Sequence, residues 1–248
     1  STQIDIKKNG NILDIGCGNG SFLKEFQKKF QNWSQIGLEL DNRNEKIINS
    51  IPNTKLLVSK INDINEKFDI IVLIHALEHI INPAIFLNEI KKNLNTGGVL
   101  FIEIPNLKLA PFDILIADHC SHFTFESLEK LLNDSGFSIL KSSEDYIPKE
   151  ITLVAQLNDS EKGLIDFEIG LRLIDEYFKN LNSIFEQAKG LNSNFGIFGT
   201  SISGTWLASE FENKVSFFID EDINRVGKTY MGKPVYSINE NLNSENLI

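Results

Sequence analysis

Two cysteines in 248 residues, Cys17 and Cys120, exclude a disulfide framework and a four-thiolate zinc site. No metal site is read from the sequence, and a reducing compartment is the natural setting. Arginine is as scarce, present only as Arg43, Arg172 and Arg225. Against 24 basic side chains stand 34 acidic ones, for a formal net charge of −10. A phosphate backbone is bound by Lys and Arg that displace its counterions, so no nucleic-acid partner is expected. No apolar run approaches the roughly 18 residues of a bilayer span, and no charged-then-apolar leader opens the sequence. No membrane partner is expected, and the location expected is cytoplasmic. The sequence starts without methionine and stops at Ile248 without an evident terminal element, so a fragment or trimmed chain is expected.

What is present is apolar content enough for real cores, in one large or two modest domains. Short apolar runs read as buried strands: Asn11–Gly16, Gln35–Leu40, Lys55–Val58, Phe68–Ile74, Val99–Ile104, Phe137–Lys141 and Ile151–Leu157. Helical periodicity appears over Ser21–Phe30 and Phe125–Ser135. Asn82-Pro83 starts a further helix, with Pro at its first position, running to Asn95 and stopped by Gly97-Gly98. Strands alternating with helices imply a mainly parallel sheet covered on both faces. The last two strands share a short helix-free connection and should pair antiparallel. From Lys162 to Lys189 apolar residues step by three or four, a long amphipathic helix. Beyond it Phe195–Gly199, Ile202–Phe211 and Val215–Asp220 read as strand, helix, strand, a second small α/β unit.

The sequence Asp14-Ile15-Gly16-Cys17-Gly18-Asn19-Gly20 lies between a predicted strand and helix. Glycines there let backbone amides approach a ligand, and the helix N-terminus adds a favourable dipole. A dinucleotide site asks for G-x-G-x-x-G. Here the spacing is D-x-G-x-G-x-G, and the acid at its head suits a cationic, amino-acid-bearing ligand. The segment resembles motif I of class I S-adenosylmethionine (SAM)-dependent methyltransferases. Gly37-Leu38-Glu39-Leu40 resembles the family's second-strand end, Phe68–Val72 its fourth strand, Ala76-Leu77-Glu78-His79 its LEH segment, and Gly97–Leu100 its fifth-strand entry. The resemblance implies an α/β fold with a seven-stranded, mostly parallel Rossmann-like sheet, plus the small C-terminal α/β unit. It implies SAM as cofactor, held by Asp14, Gly16, Cys17, Gly18 and Gly20, with Glu39 on the ribose hydroxyls and the Ile61 backbone at the adenine. A carboxylate only accepts hydrogen bonds, which suits two adjacent hydroxyl donors. His75 follows the fourth strand at the mouth of the sheet, where ligands of such folds sit; a packing histidine is the alternative.

Because SAM brings its own electrophilic methyl, the protein has to supply positioning and sometimes a base. Ile116–Thr124 holds two of the four histidines. Histidine's ordinary pKa near 6.5 makes it a ready base at neutral pH. This stretch resembles the Tyr-x-Glu-His-x-x-(Tyr)-Phe-Ser motif of sugar C-methyltransferases acting on nucleotide-linked keto sugars. His119 then matches the proton-abstracting histidine and Asp118 the neighbouring acid; Ile116 stands where that family has tyrosine. A loop-pinning histidine is the alternative for His119, and for His122 it is the preferred reading. Cys120 reads as an inert thiol.

In the second unit, Gly199-Thr200-Ser201-Ile202-Ser203-Gly204 keeps two glycines of a dinucleotide turn but has Ser201 in the middle, and Asp220 ends the next strand. Phe218–Asp222 with Arg225, Gly227, Gly232, Pro234 and Val235 resembles the degenerate nucleotide-binding C-terminal domain of the same sugar C-methyltransferases, a scaffold or substrate lid. Gly232–Val235 reads as a turn into an edge strand. The expected organisation is residues 1–157 as the methyltransferase domain, 158–191 as a connecting helix and 192–248 as a small Rossmann-like domain.

The expected activity is methyl transfer from SAM to a small polar acceptor of the nucleotide-linked or activated sugar kind. The alternatives are an O- or N-methyltransferase of another metabolite, and a silent binding protein with the same fold. An anionic nucleotide sugar would need local cations, for which Lys108, Arg225, Lys228 and Lys233 are the candidates.

Overall fold

In a computed structural model the described residues are 7–158, 168–240 and 247–248. The chain divides into two units, Ser1–Ala110 with Asp118–Asp166, and Pro111–Ala117 with Phe167–Ile248.

The first unit is built on seven strands: β1 (Asn11–Ile15), β2 (Ser34–Glu39), β3 (Thr54–Val58), β4 (Phe68–Ile74), β5 (Leu94–Pro105), β6 (Phe137–Ser143) and β7 (Glu150–Leu157). Their order is β3-β2-β1-β4-β5-β7-β6. β1 pairs in parallel with both β2 and β4, whereas β7 runs antiparallel to β5 and β6. The mostly parallel seven-stranded sheet expected from the sequence is the one that forms, with the antiparallel pair where the short connection put it.

Both faces of the sheet are covered. Against one, α1 (Ser21–Lys29) lays Phe22 and Phe26, which with Phe30 and Trp33 pack on Ile12, Ile70 and Val72. The Phe26 and Phe30 rings lie 4.5 Å apart, and Trp33 meets Phe26 edge-on at 5.5 Å. The opposite face carries the larger core, including Leu13, Ile36, Leu38, Ile71, Leu73, Leu100, Ile102 and Leu153. Each such side chain taken fully from water contributes about 1.5–3 kcal/mol.

The helix begun at Asn82-Pro83 is α3 (Pro83–Ile90), and Asn82 caps it by accepting from the Ile85 amide at 3.1 Å. It is shorter than the periodicity suggested. The buried Asn93 side chain donates to the carbonyls of Ile64 and Glu66, at 2.8 and 3.0 Å, which pulls residues 91–93 into a 3₁₀ turn and opens β5 at Leu94. Gly97-Gly98 therefore lies inside a strand with an irregular register, rather than after a helix. A one-turn helix, α2 (Glu45–Ile48), was not foreseen. α4 (Phe125–Asp134) begins as expected, Thr124 and Ser127 forming a reciprocal capping box.

The second unit contains α5 (Glu168–Gly190), β8 (Phe195–Phe198), α6 (Ile202–Glu210), β9 (Val215–Asp220), β10 (Thr229–Tyr230) and β11 (Lys233–Ser237). The start expected for the long helix, residues 162–167, lies outside the described residues. The sheet order is β10-β11-β9-β8. The strand after Gly232 is thus an inner strand and not an edge, because the two-residue β10 pairs with its outer side. The glycine-containing turn between β8 and α6 is held by its own side chains. Asp220 accepts from the Thr200 amide at 2.9 Å and hydroxyl at 2.5 Å, and Arg225 donates to that hydroxyl at 2.8 Å and to Asp220 at 3.3 Å. A β-carbon on Gly204 would sit 2.1 Å from the Gly199 carbonyl oxygen, so this glycine is kept for close helix–strand packing. No described helix is long and apolar enough to cross a membrane.

Burial alone would raise the Asp220 pKa, but the hydrogen bonds from Thr200, Asp222 and Arg225 outweigh it and bring it from 3.8 to about 2. The stability this confers is present above the unfolded value and lost as the pH falls through the folded one. Asp220→Asn is expected to cost about 1–3 kcal/mol at neutral pH, read by urea unfolding. The deficit against the parent should shrink from pH 4 downward.

Candidate functional site

β1 ends in Asp14-Ile15, and the turn that follows reaches α1 through three glycines. Gly16, Gly18 and Gly20 have φ of 73, 54 and 76°, a region that costs a residue bearing a β-carbon about 1–2 kcal/mol. A β-carbon on Gly18 would meet nothing within 4 Å, so at this residue the turn faces open space, whereas one on Gly20 would lie 3.0 Å from Ile48. Glu39, the last residue of β2, reaches across it: Oε1 accepts from the Gly18 amide at 2.6 Å, and Oε2 from the Leu40 amide at 3.3 Å. Cys17 points inward and is buried. Directly beneath it runs Gly37, where a β-carbon would lie 2.6 Å from the Cys17 sulfur. Burial, with the Asp14 and Glu39 charges adding, pushes the Cys17 thiol up to about 12, so what Cys17 offers a ligand is backbone. Asp14 is 2% exposed, and burial followed by the Glu39 charge raises its carboxyl from 3.8 to about 7.

A cleft of about 850 Å³ opens beside this turn, where the strand order reverses around β1. Crevices at such reversals are where ligands of open α/β sheets bind, and the volume lies in the range of small-molecule pockets. Of the residues singled out in the sequence, Gly16, Glu39, Ile61, His75 and Asp118 line it together. Asp14 and Cys17 are buried by the turn, and Gly20 sits at the start of α1.

His75, the residue after β4, has a φ of 48°, uncommon for a residue with a side chain and most frequent at functional sites. Its amide donates to the Glu103 carbonyl at 2.9 Å. Its Nδ1 lies 3.3 Å from Glu78 Oε1 and its Nε2 3.9 Å from Glu150 Oε1. The hydrogen bond to Glu78 raises the His75 pKa first; burial opposes, and the Glu150, Glu78 and Glu103 charges add to the rise. Burial also lifts the Glu103 carboxyl above its ordinary range.

The histidine-rich loop is tied to the turn bearing Glu78. The Cys120 and Ser121 amides both donate to the Glu78 carbonyl, at 2.8 and 3.0 Å, and the Ser121 hydroxyl donates to the Ile80 carbonyl at 3.2 Å. The bond between His79 Nδ1 and the Asp118 carbonyl is 3.0 Å long; a carbonyl only accepts, so Nδ1 carries the proton. These ties set the His119 ring edge-on to His79 at 4.8 Å, with His122 6.4 Å from His119. The Asp118 carboxylate, expected beside His119, lies 3.6 Å from His79 Nδ1. Glu78 and His79 were given no role in the sequence reading. The signal was there in Leu77-Glu78-His79, but nothing in one dimension says that this glutamate is buried. Of the proposed cations, Lys108 pairs with Glu126 and Arg225 with Asp220.

A family model described as a methyltransferase domain matches residues 3–142. The chain belongs to that family. The matched residues other than 111–117 lie within its first unit. Over 147 residues the chain is 24% identical to (S)-tetrahydroprotoberberine N-methyltransferase of Eschscholzia californica, covering 55% of this chain and 37% of that protein. It is 28% identical over 134 residues to the ubiquinone biosynthesis O-methyltransferase of Actinobacillus pleuropneumoniae serotype 7, covering 46% and 55%. The alignments thus span between about a third and just over half of these relatives. Among solved structures, mitomycin 7-O-methyltransferase superposes with a TM-score of 0.54 at 15% identity, over 62% of this chain and 50% of that one. An O-methyltransferase of neocarzinostatin biosynthesis, solved with SAM, gives 0.51 at 15%, over 60% and 49%. At these identities the structural likeness establishes the fold.

Asp14 yields a test of the turn. With its folded pKa near 7 and an unfolded value near 3.8, the folded state holds the proton more tightly. The stability linked to that proton is complete below pH 4 and lost as the pH rises to 7. Asp14→Asn removes the titration. In ligand-free protein its melting temperature should gain on the parent between pH 4 and 7 and hold a constant lead above; a pH-independent difference would contradict the burial argument.

Proposed function

We propose that this chain transfers the methyl group of SAM to a small polar acceptor, a nucleotide-linked or otherwise activated sugar, with His119 taking the acceptor's proton. The observation that carries this reading is the cleft at the reversal of strand order, lined by Gly16, Glu39, His75, His79 and Asp118; His119 does not line it but packs edge-on against His79 at 4.8 Å. The residues present suit the cofactor. Glu39 would offer two acceptor oxygens to a ribose diol, the Gly16–Gly20 turn would meet the methionine end, and the Ile61 backbone would meet the adenine. When bound, SAM supplies an electrophilic methyl on a sulfonium. The chain's part is to hold the acceptor in line and remove a proton. On a carbon acceptor the proton must be acidified by a neighbouring ketone; on oxygen, His119 need only relieve a hydroxyl. On this reading residues 1–157 carry the chemistry, 158–191 connect, and 192–248 serve as scaffold or substrate lid.

A second reading, methylation of an amine or hydroxyl of another metabolite, draws on the ring of Glu78, Glu103 and Glu150 around His75. Three carboxylates beside one imidazole suit a cationic acceptor. The N- and O-methyltransferases among the relatives point the same way. Deuterium wash-in beside the ketone of a keto sugar, without SAM, separates the two: absence of exchange together with turnover on an amine or hydroxyl selects the second.

Glu39→Ala is expected to weaken SAM binding at least about tenfold in calorimetry, a loss of about 1.4 kcal/mol or more. His119→Ala should leave that affinity within about twofold while lowering kcat by about 10²–10⁴. Parent protein with no affinity for SAM or its demethylated product would instead mark a silent binding protein.

A further inference from the structure

Glu78 is 1% exposed, and its carboxylate is half used: Oε1 lies 3.3 Å from His75 Nδ1, while Oε2 is buried without a hydrogen-bond partner among the described residues. A buried acceptor left alone costs about 1–3 kcal/mol, more when charged. The Glu78 carboxylate, one ring nitrogen of His79 and one of His119 all lie within 4.8 Å of one another. We propose that Glu78, His79 and His119 bind a divalent transition-metal ion.

The donor chemistry supports this beyond proximity. Two imidazoles and a carboxylate form a set taken by zinc and by other first-row divalent ions, and three protein ligands leave positions open for an exogenous oxygen. Metal-binding imidazoles donate their other ring N–H to a carbonyl or carboxylate, which fixes the tautomer. His79 has that arrangement already: Nδ1–H is committed to the Asp118 carbonyl at 3.0 Å, with the Asp118 carboxylate at 3.6 Å. The lone pair is therefore on Nε2. On the other side His75 holds Glu78 Oε1 and leaves Oε2 for the ion. Ligand distances of about 2.0–2.2 Å require the donors to draw together. His79, whose side chain is 39% exposed, has room to do so.

The sequence reading expected no metal because it counted thiolates; this set uses none. Any part the ion plays in the reaction rests on the cleft being the methyl-transfer site, whereas its binding does not. An acceptor hydroxyl on the ion would lose its proton to water more readily, since a bound divalent ion lowers the pKa of a coordinated oxygen by many units. In the loaded protein His119 is a ligand, and only in the ion-free protein does it serve as a base.

The test uses the full chain, stripped with EDTA and titrated with ZnCl₂ by calorimetry, with Co²⁺ as a spectroscopic reporter. One equivalent of Zn²⁺ should bind, and Co²⁺ should develop visible absorption that Zn²⁺ abolishes. Glu78→Gln and His119→Ala should each weaken Zn²⁺ at least about tenfold. Because Glu78 is buried and its variant is open to misfolding, the half-buried His119 provides the second arm. SAM calorimetry on each variant reports separately whether the cleft is intact. Zinc loss in His119→Ala with SAM affinity retained supports the proposal. No stoichiometric Zn²⁺ binding by the parent, or binding unchanged in His119→Ala, overturns it. Zn²⁺ binding without SAM binding would sink the functional reading and leave the metal site standing.

Discussion

The site depends on β1 being hydrogen-bonded on both sides by parallel strands that belong to opposite halves of the sheet. The connections on either side of β1 diverge to opposite faces, and a cleft opens at the C-terminal end of this strand. Everything placed there inherits its position from that pairing: the glycine turn is the continuation of β1, Glu39 the end of β2, and His75 the first residue past β4. No side chain has to seek its partner across a flexible distance.

A second constraint is a single oxygen. The Glu78 carbonyl accepts two amides from the loop that carries His119. One backbone group thus couples two segments some forty residues apart in sequence, 78 to 121. The 3₁₀ turn that buries the Glu78 side chain and the loop that presents His119 form one assembly, and the three-donor cluster follows from it. The second unit's turn is organised differently, by Thr200, Asp220 and Arg225, which satisfy one another.

Much of this was legible in one dimension because parallel sheets write themselves clearly: runs such as Phe68–Ile74 are apolar on both faces and end abruptly at ligand-facing turns. Asp14, the glycines and Glu39 were readable for the same reason, lying at fixed distances from strand ends. The length of α3 was misread because its end is set by Asn93 reaching carbonyls near residue 65, a long-range bond no periodicity records. Sequence pattern alone makes β11 an edge strand, because the two residues of β10 are too few to show alternation. At the site, burial of an acid such as Glu78 is invisible in sequence, and so is the long-range bond between the Asp118 carbonyl and His79.

The two cysteines are chemically unequal. Cys17 is sealed against Gly37 with its thiol pushed up to about 12, while Cys120 is exposed and lines the cleft. Thiolate, not thiol, is the reactive species, so an alkylating dye or spin label will mark the native protein at Cys120 alone. The chain therefore carries a built-in reporter on the rim of its own pocket, usable without engineering a cysteine away.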